Sequence, residues 1–162
     1  MKRIYFFTIA VFLCVLLGSC NKGDDVDEIF ADGQTWHWSG SYDTNNWKDD
    51  NKYTSTLKQS DLELINSANK KNVFVLQFED NGNVSGKGES FSFSGSWSAN
   101  GKDNSISINI KANKAPNAGS RDAIFLKEIS EAKFYRGDSK FIKLFDMNKT
   151  HYIQFYPTGF RN

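Results

Sequence analysis

Few side chains in this sequence are suited to covalent or acid–base chemistry. Its cysteines are Cys14 and Cys20, and its histidines are His37 and His151. A hydrolase would place a histidine beside a nucleophile and an orienting carboxylate, but no G-x-S-x-G occurs and the SGS and GSW fragments read as serine-rich strand. Two histidines without a cysteine or short-spaced carboxylate partner make a poor zinc site. VSGKGES at 84–90 has glycines and a lysine but lacks G-x-x-x-x-G-K-[ST] and opens no helix, which argues against a phosphate loop. DTNNWKDDN at 43–51 offers Asp43, Asp49 and Asp50 without the D-x-[DN]-x-[DN]-G order of a calcium loop. No catalytic residue, metal ligand set or cofactor is expected, and the chain reads as non-enzymatic.

Cys20 is the exception, through its position. Lys2 and Arg3 precede the apolar run IYFFTIAVFLCVLL at 4–17, the order of an export signal. Fourteen residues make roughly 21 Å of helix, short of the ~30 Å hydrocarbon core, so a permanent span is disfavoured. Leu17, Gly18 and Ser19 then stand directly before Cys20. LLGSC resembles the lipobox of bacterial lipoproteins, which implies that residues 1–19 are removed and that the Cys20 thiol carries a diacylglyceryl group. Acyl chains, at ~0.8 kcal/mol per buried methylene, anchor a protein to the membrane without a spanning helix.

Behind the cysteine, NKGDDVDE carries Asp24, Asp25, Asp27 and Glu28 against Lys22. Residues 20–28 read as a lipidated cysteine and a flexible acidic tether. Such acidic residues resemble the signal that sends lipoproteins of one group of Gram-negative bacteria to the exterior face of the outer membrane, which is the expected location.

The elements that position everything else lie in residues 29–162, a length suited to one domain. Once residues 1–19 are gone, 18 basic side chains face 19 acidic ones, so nucleic acid is not an implied partner. No cysteine remains after Cys20, so stability must come from apolar packing. TWHWSGSY at 35–42 alternates, placing Trp36, Trp38 and Tyr42 on one face and Thr35, His37, Ser39 and Ser41 on the other. VFVLQFE, FSFSGSWS and SISINIK alternate likewise, and AKFYRG, KFIKLFD and HYIQFYP read as further strands. Asn81-Gly82 suits a tight hairpin whose two central residues take positive φ. Ser60 and Glu63 at capping-box spacing predict a helix over 60–69. Ser120 as N-cap, with Asp122 in the first turn, predicts another over 121–131, although AIFLKEI could also be a strand. The expected fold is mainly β (α+β): a single antiparallel sheet or roll of about seven to eight strands with one or two short helices.

FVLQFEDNGNVSGKGESFSFSGSW at 74–97 resembles the signature of the META domain, a small β-rich domain of bacterial envelope lipoproteins. Asp80, Gly82, Val84, Ser85, Gly86, Phe93, Gly95 and Trp97 fall on that pattern, Gly82 one position early. Glu89, Ser90 and Phe91 stand where the family has Gly, Cys and Asn, so neither the turn bonds of that Asn nor a family disulfide is implied. The resemblance implies a non-catalytic domain that contacts another protein of the envelope.

A second reading is a surface carbohydrate-binding module whose tryptophans stack on sugar rings. Trp36, Trp38 and Trp97 lie on apolar strand faces and are expected in the core. Trp47, among Asp, Asn and Lys with no apolar neighbour in sequence, is the expected exposed contact. Asp43, Tyr53 and His37 complete the candidate binding residues for a protein or glycan of the envelope.

Overall fold

The structure, a computed structural model, describes residues 24–30, 32–49 and 53–159. Cys20 and the residues before it lie outside this range. In chain order the elements are α1 (Asp24–Phe30), β1 (Thr35–Asp43), β2 (Thr54–Ser55), α2 (Gln59–Ile65), a turn of tighter helix (Ala68–Lys70), β3 (Val75–Phe78), β4 (Asn83–Lys87), β5 (Ser92–Asn100), β6 (Ser105–Ala112), α3 (Arg121–Glu131), β7 (Phe134–Asp138), β8 (Phe141–Phe145) and β9 (His151–Pro157). Among the described residues there are nine strands in one antiparallel sheet, the β-rich single-sheet class expected, with β2 and β4 added to the alternating segments.

The sheet closes on itself. β1 pairs with β3 along one flank and with β9 along the other, so β1 and β3 to β9 make a barrel. Closure removes the exposed edges that an open sheet must protect. β2 adds only a short pairing at Tyr42 and Asp43. The thinnest join is β6–β7, where Ser105 opposite Phe134 is the one register pair. α3 lies in the connection between those two strands. Its Phe125 is fully buried, with ring centroids 5.4 Å from Trp38, 5.6 Å from Phe74, and 6.2 Å from both Phe93 and Phe155. Such pairs contribute about 0.5–1.5 kcal/mol each beyond burial.

α3 starts where Ser120 predicts, its hydroxyl accepting from the Ala123 amide at 3.2 Å. Three other expectations change. α2 begins at Gln59 after Lys58, with no side-chain cap, and Glu63 accepts from Gln59 Nε2 at 3.0 Å instead of closing a capping box with Ser60. It ends at Ile65, because Asn66 Nδ2 donates to Leu62 O at 2.8 Å and to Ser39 O at 3.0 Å, tying the helix end to β1. In the β3–β4 turn Gly82 alone of the central pair takes positive φ, at +81°.

The third change is at the N-terminal boundary. The acidic stretch is not wholly a tether and the domain starts before residue 29: Asp24–Phe30 is helical and buries Val26, Ile29 and Phe30. Spacing of three and four places those side chains on one stripe, while the exposed Asp27 and Glu28 take the other side. Phe30 meets Phe78 and Tyr135 edge-on, each at 4.9 Å. Charge count hid an amphipathic turn.

In the first turn of α3, Asp122 is buried and accepts from Glu89 N at 2.7 Å, Ser90 N at 2.9 Å and Ser90 Oγ at 2.6 Å. The loop after β4 is thus held by a carboxylate more than thirty residues away.

Candidate binding surface and interior polar cluster

β1 carries one residue more than β9 can match. Trp38 pairs with Phe155 and Gly40 with Gln154, leaving Ser39 as a β-bulge. A bulge reverses the facing of every residue beyond it. Ser41 therefore pairs with the core residue Ile153 and is buried inside, while Tyr42 pairs with Tyr152 on the outer wall. This overturns the expectation that Tyr42 shares the face of Trp36 and Trp38, and that Ser41 lies outside. The isolated Gly40 was the available sign, since glycine within a strand pattern marks bulges and close approaches. The Tyr42 side chain lies over it, and a Cβ at Gly40 would stand 2.5 Å from the tyrosine hydroxyl.

Reversal turns Ser41 into the barrel interior under Glu128 of α3 and leaves Asp43 exposed at the rim, opposite His151 of β9. Trp38 Nε1 donates to Ser41 Oγ at 3.2 Å, and Ser41 Oγ donates to Glu128 Oε2. His151 Nε2 stands 3.0 Å from Glu128 Oε1, and His151 Nδ1 stands 2.9 Å from Asp43 Oδ1. Both ring nitrogens face a carboxylate, so both act as donors and the ring is an imidazolium. Hydrogen bonding to Glu128 raises the His151 pKa from 6.5 to about 9, with Asp43 adding to it and burial opposing it. An imidazolium has no lone pair to take the Ser41 proton, and Ser41 donates to Glu128 instead of to the histidine. These bonds tie β1, β9 and α3 together. His151, which no local motif in the sequence singles out, is the centre of this network. Glu128 and Ser41 were not candidates at all, because only the bulge and the helix register bring them together.

Outside the wall, the chain after Asp43 folds back across β7 to β9. Trp47 is half-buried, with ring centroids 5.8 Å from Phe145 and 6.3 Å from Phe134. Lys149 Nζ stands 4.1 Å from the Trp47 ring and 3.8 Å from that of Phe134. Arg136 donates to the Trp47 carbonyl at 2.6 Å. The expectation of an exposed Trp47 is therefore corrected: its apolar neighbours come from strands ninety residues later in the chain. Tyr53 is as expected on the surface, 58% exposed, its ring 4.8 Å from Tyr42, which in turn is 5.3 Å from Tyr152. Met147, in the β8–β9 turn, is 63% exposed. That turn bonds to the start of the 43–53 loop through Thr44 N and Thr150 O at 2.8 Å. A shallow depression lined by Asp43, Thr44, Asn45, Tyr53 and Thr54 opens beside them.

His37 lies elsewhere, on the outer face of β1 before the bulge. Its Nε2 donates to Lys70 O at 3.2 Å, and it lines a separate cleft with Ser39, Asn66, Ser67, Lys71 and Tyr156. Of the candidate residues, Asp43, Trp47 and Tyr53 share one surface and His37 does not. Among the described residues there is no cluster of three or more His, Cys, Asp or Glu side chains arranged to hold a metal ion, and no helix long and apolar enough to cross a membrane.

Residues 21–157 match the family described as Domain of unknown function (DUF4847). A crystal structure of a DUF4847 family protein from Bacteroides vulgatus ATCC 8482 is similar in fold, with a TM-score of 0.62 at 28% sequence identity, over 81% of this chain and 96% of that one. No curated protein matches the sequence.

Proposed function

We propose that this chain, which belongs to the DUF4847 family, is a non-catalytic lipoprotein of the outer membrane whose META-like β domain binds a protein partner in the cell envelope. Cys20 carries the lipid, and Asp24, Asp25, Asp27 and Glu28 direct the protein to the cell exterior. One observation supports the binding reading above others. The large apolar side chains that remain exposed among the described residues, Tyr53 and Met147, both fall at the end of the barrel where the 43–53 loop meets the β8–β9 turn. Exposed aromatics and methionines are enriched at the cores of protein interfaces. Flanked by Asp43 and the half-buried Trp47, they form a contact surface on a rigid closed sheet. Trp47 itself has a lysine over its ring and Phe145 and Phe134 beside it, which favours a packing role over sugar stacking.

The test is capture from envelope extract with the wild type and with Tyr53→Ala and Met147→Ala. Truncating a hot-spot residue costs about 2 kcal/mol or more of binding, roughly thirtyfold. A protein retained by the wild type and lost from both variants supports the reading. Retention that is indifferent to both refutes it. A glycan array with the same three proteins tests the carbohydrate alternative. For the address, Cys20→Ala should leave an unacylated precursor, and normal acylation of that variant would refute the lipoprotein assignment.

A further inference from the structure

The two ends of the barrel are unlike, and the chain enters at one of them. Neighbouring strands are antiparallel, so the connections alternate between the ends. β3 runs against β1, with Thr35 opposite Gln77 and His37 opposite Val75, which places the β3–β4 turn at the end where β1 begins. The β5–β6 and β7–β8 turns follow at that same end. α1 packs there: Phe30 meets Phe78, Trp97 and Tyr135, while Glu28 and Ile29 share a depression with Gly101, Asn104 and Ser139 of the two turns. Gln34, between α1 and β1, donates to Ser139 O at 3.3 Å. The opposite end carries the finish of β1 at Asp43, Thr54 of β2 paired to it, and the β8–β9 turn. Tyr53 and Met147 therefore lie at the far end from α1. β1 has nine residues; at about 3.3 Å each and a strand tilt of roughly 40°, the ends are about 20–25 Å apart.

Only Asn21, Lys22 and Gly23 stand between Cys20 and Asp24, where α1 starts. Four Cα steps of at most about 3.6 Å keep Cys20 within about 14 Å of that start. This reach is shorter than the barrel. Exposed acids of α1 and the three turns outnumber Lys102 and Lys140 at this end, so the short tether, and not attraction to anionic headgroups, sets which end lies nearest the lipid. We infer that the barrel stands on the membrane with its α1 end down, so that the Tyr53–Met147 surface faces away from the bilayer and takes a protein, or a part of one, that stands clear of the lipid. The orientation rests on the acylation of Cys20 proposed above. A partner segment embedded in the same bilayer is out of that surface's reach.

Beyond Cys20 the sequence holds no cysteine, so a single labelling thiol can be placed at either end. Lys140 in the β7–β8 turn and Asn148 in the β8–β9 turn are both exposed. The acylated Lys140→Cys and Asn148→Cys proteins would each be labelled with a fluorophore and reconstituted into phosphatidylcholine–phosphatidylglycerol vesicles that carry an acceptor dye on a lipid headgroup. Energy transfer then reports the height of each position above the membrane. Position 148 should stand about 20 Å higher than position 140. Inserting about ten Gly and Ser residues after Gly23 should shrink that gap, since a long flexible tether lets either end approach the lipid. Equal heights, the reverse order, or a gap unchanged by the insertion would each overturn the inference. Mass spectrometry of the same preparations separates it from its premise: an unacylated Cys20 refutes the lipoprotein reading and the orientation with it, whereas equal heights in acylated protein refute the orientation alone.

Discussion

Alkaline pH should loosen this domain through His151. The ring is charged in the folded protein up to a pKa of about 9, against 6.5 for the free side chain, because Glu128 and then Asp43 accept hydrogen bonds from it. That difference corresponds to about 3 kcal/mol of preference for the charged form. With the side chain 28% exposed, solvent screening reduces the contribution to about 2 kcal/mol. A folded-state pKa raised above the unfolded one gives stabilisation that is complete below pH 6.5 and disappears as pH climbs through about 9. At about 2–4 °C per kcal/mol for a domain of this size, the melting temperature should fall by roughly 4–8 °C across that window. Lysine and tyrosine also titrate at the upper end, so the informative quantity is the gap between wild type and His151→Gln, measured by thermal and urea unfolding from pH 6 to 10. The gap should be widest near pH 6 and close towards pH 10. Direct NMR titration of the imidazole should give a midpoint near 9 in the wild type and markedly lower in Glu128→Gln. A midpoint at the ordinary histidine value, or a gap that does not change with pH, would refute the network as drawn.

Phe30→Ala should cost about 3–5 kcal/mol, the range for deleting a buried aromatic, and a loss near zero would return residues 24–30 to the role of a tether. Gly95→Ala should destabilise the domain by more than about 2 kcal/mol, because its methyl group would run into the Asn109 carbonyl across the β5–β6 pair; an unchanged urea midpoint would rule out that close approach. Trp47→Ala should cost about 1–2 kcal/mol through lost contact with Phe145 and Phe134, while Tyr53→Ala should stay within about 0.5 kcal/mol. Equal effects at the two positions would contradict the division between a supporting ring and an exposed one.

Strands, α3 and most of the core were legible because alternation and helix spacing are local properties. Trp36, Trp38, Phe78, Phe93, Ile106 and Phe155 are buried as their patterns require. What escaped was decided by partners distant in sequence. Trp47 has no apolar neighbour within its own loop, and its packing comes from β7 and β8. Val26 and Phe30 were masked by acidic residues that point the other way. Phe74 holds a positive φ of 56°, a conformation no propensity predicts for a bulky aromatic; there its carbonyl accepts from the Trp38 amide at 2.9 Å and its ring packs on Trp38 and Phe125. The candidate surface was legible as a location, the 43–53 loop, with Tyr53 exposed there, but Trp47 is half-buried where an exposed ring was expected. The His151 cluster could not be assembled from local pattern, since its members come from β1, α3 and β9.

The extra residue in β1 acts as a phase shift between two halves of one strand, and the polar centre and the outer aromatic strip are its joint products. Running β1 straight past β9 with every residue kept would turn Tyr42 inward against His151 and Glu128 and move Ser41 to the surface. The tyrosine would bury a ring where three charged groups now meet, and the outer wall would lose the partner on which Tyr53 rests. Deleting the extra residue would instead keep Ser41 opposite Ile153 and Tyr42 opposite Tyr152, so both features survive it together. Related chains that keep the imidazolium network should therefore keep an aromatic directly after the position of Ser41, with or without the extra residue before it.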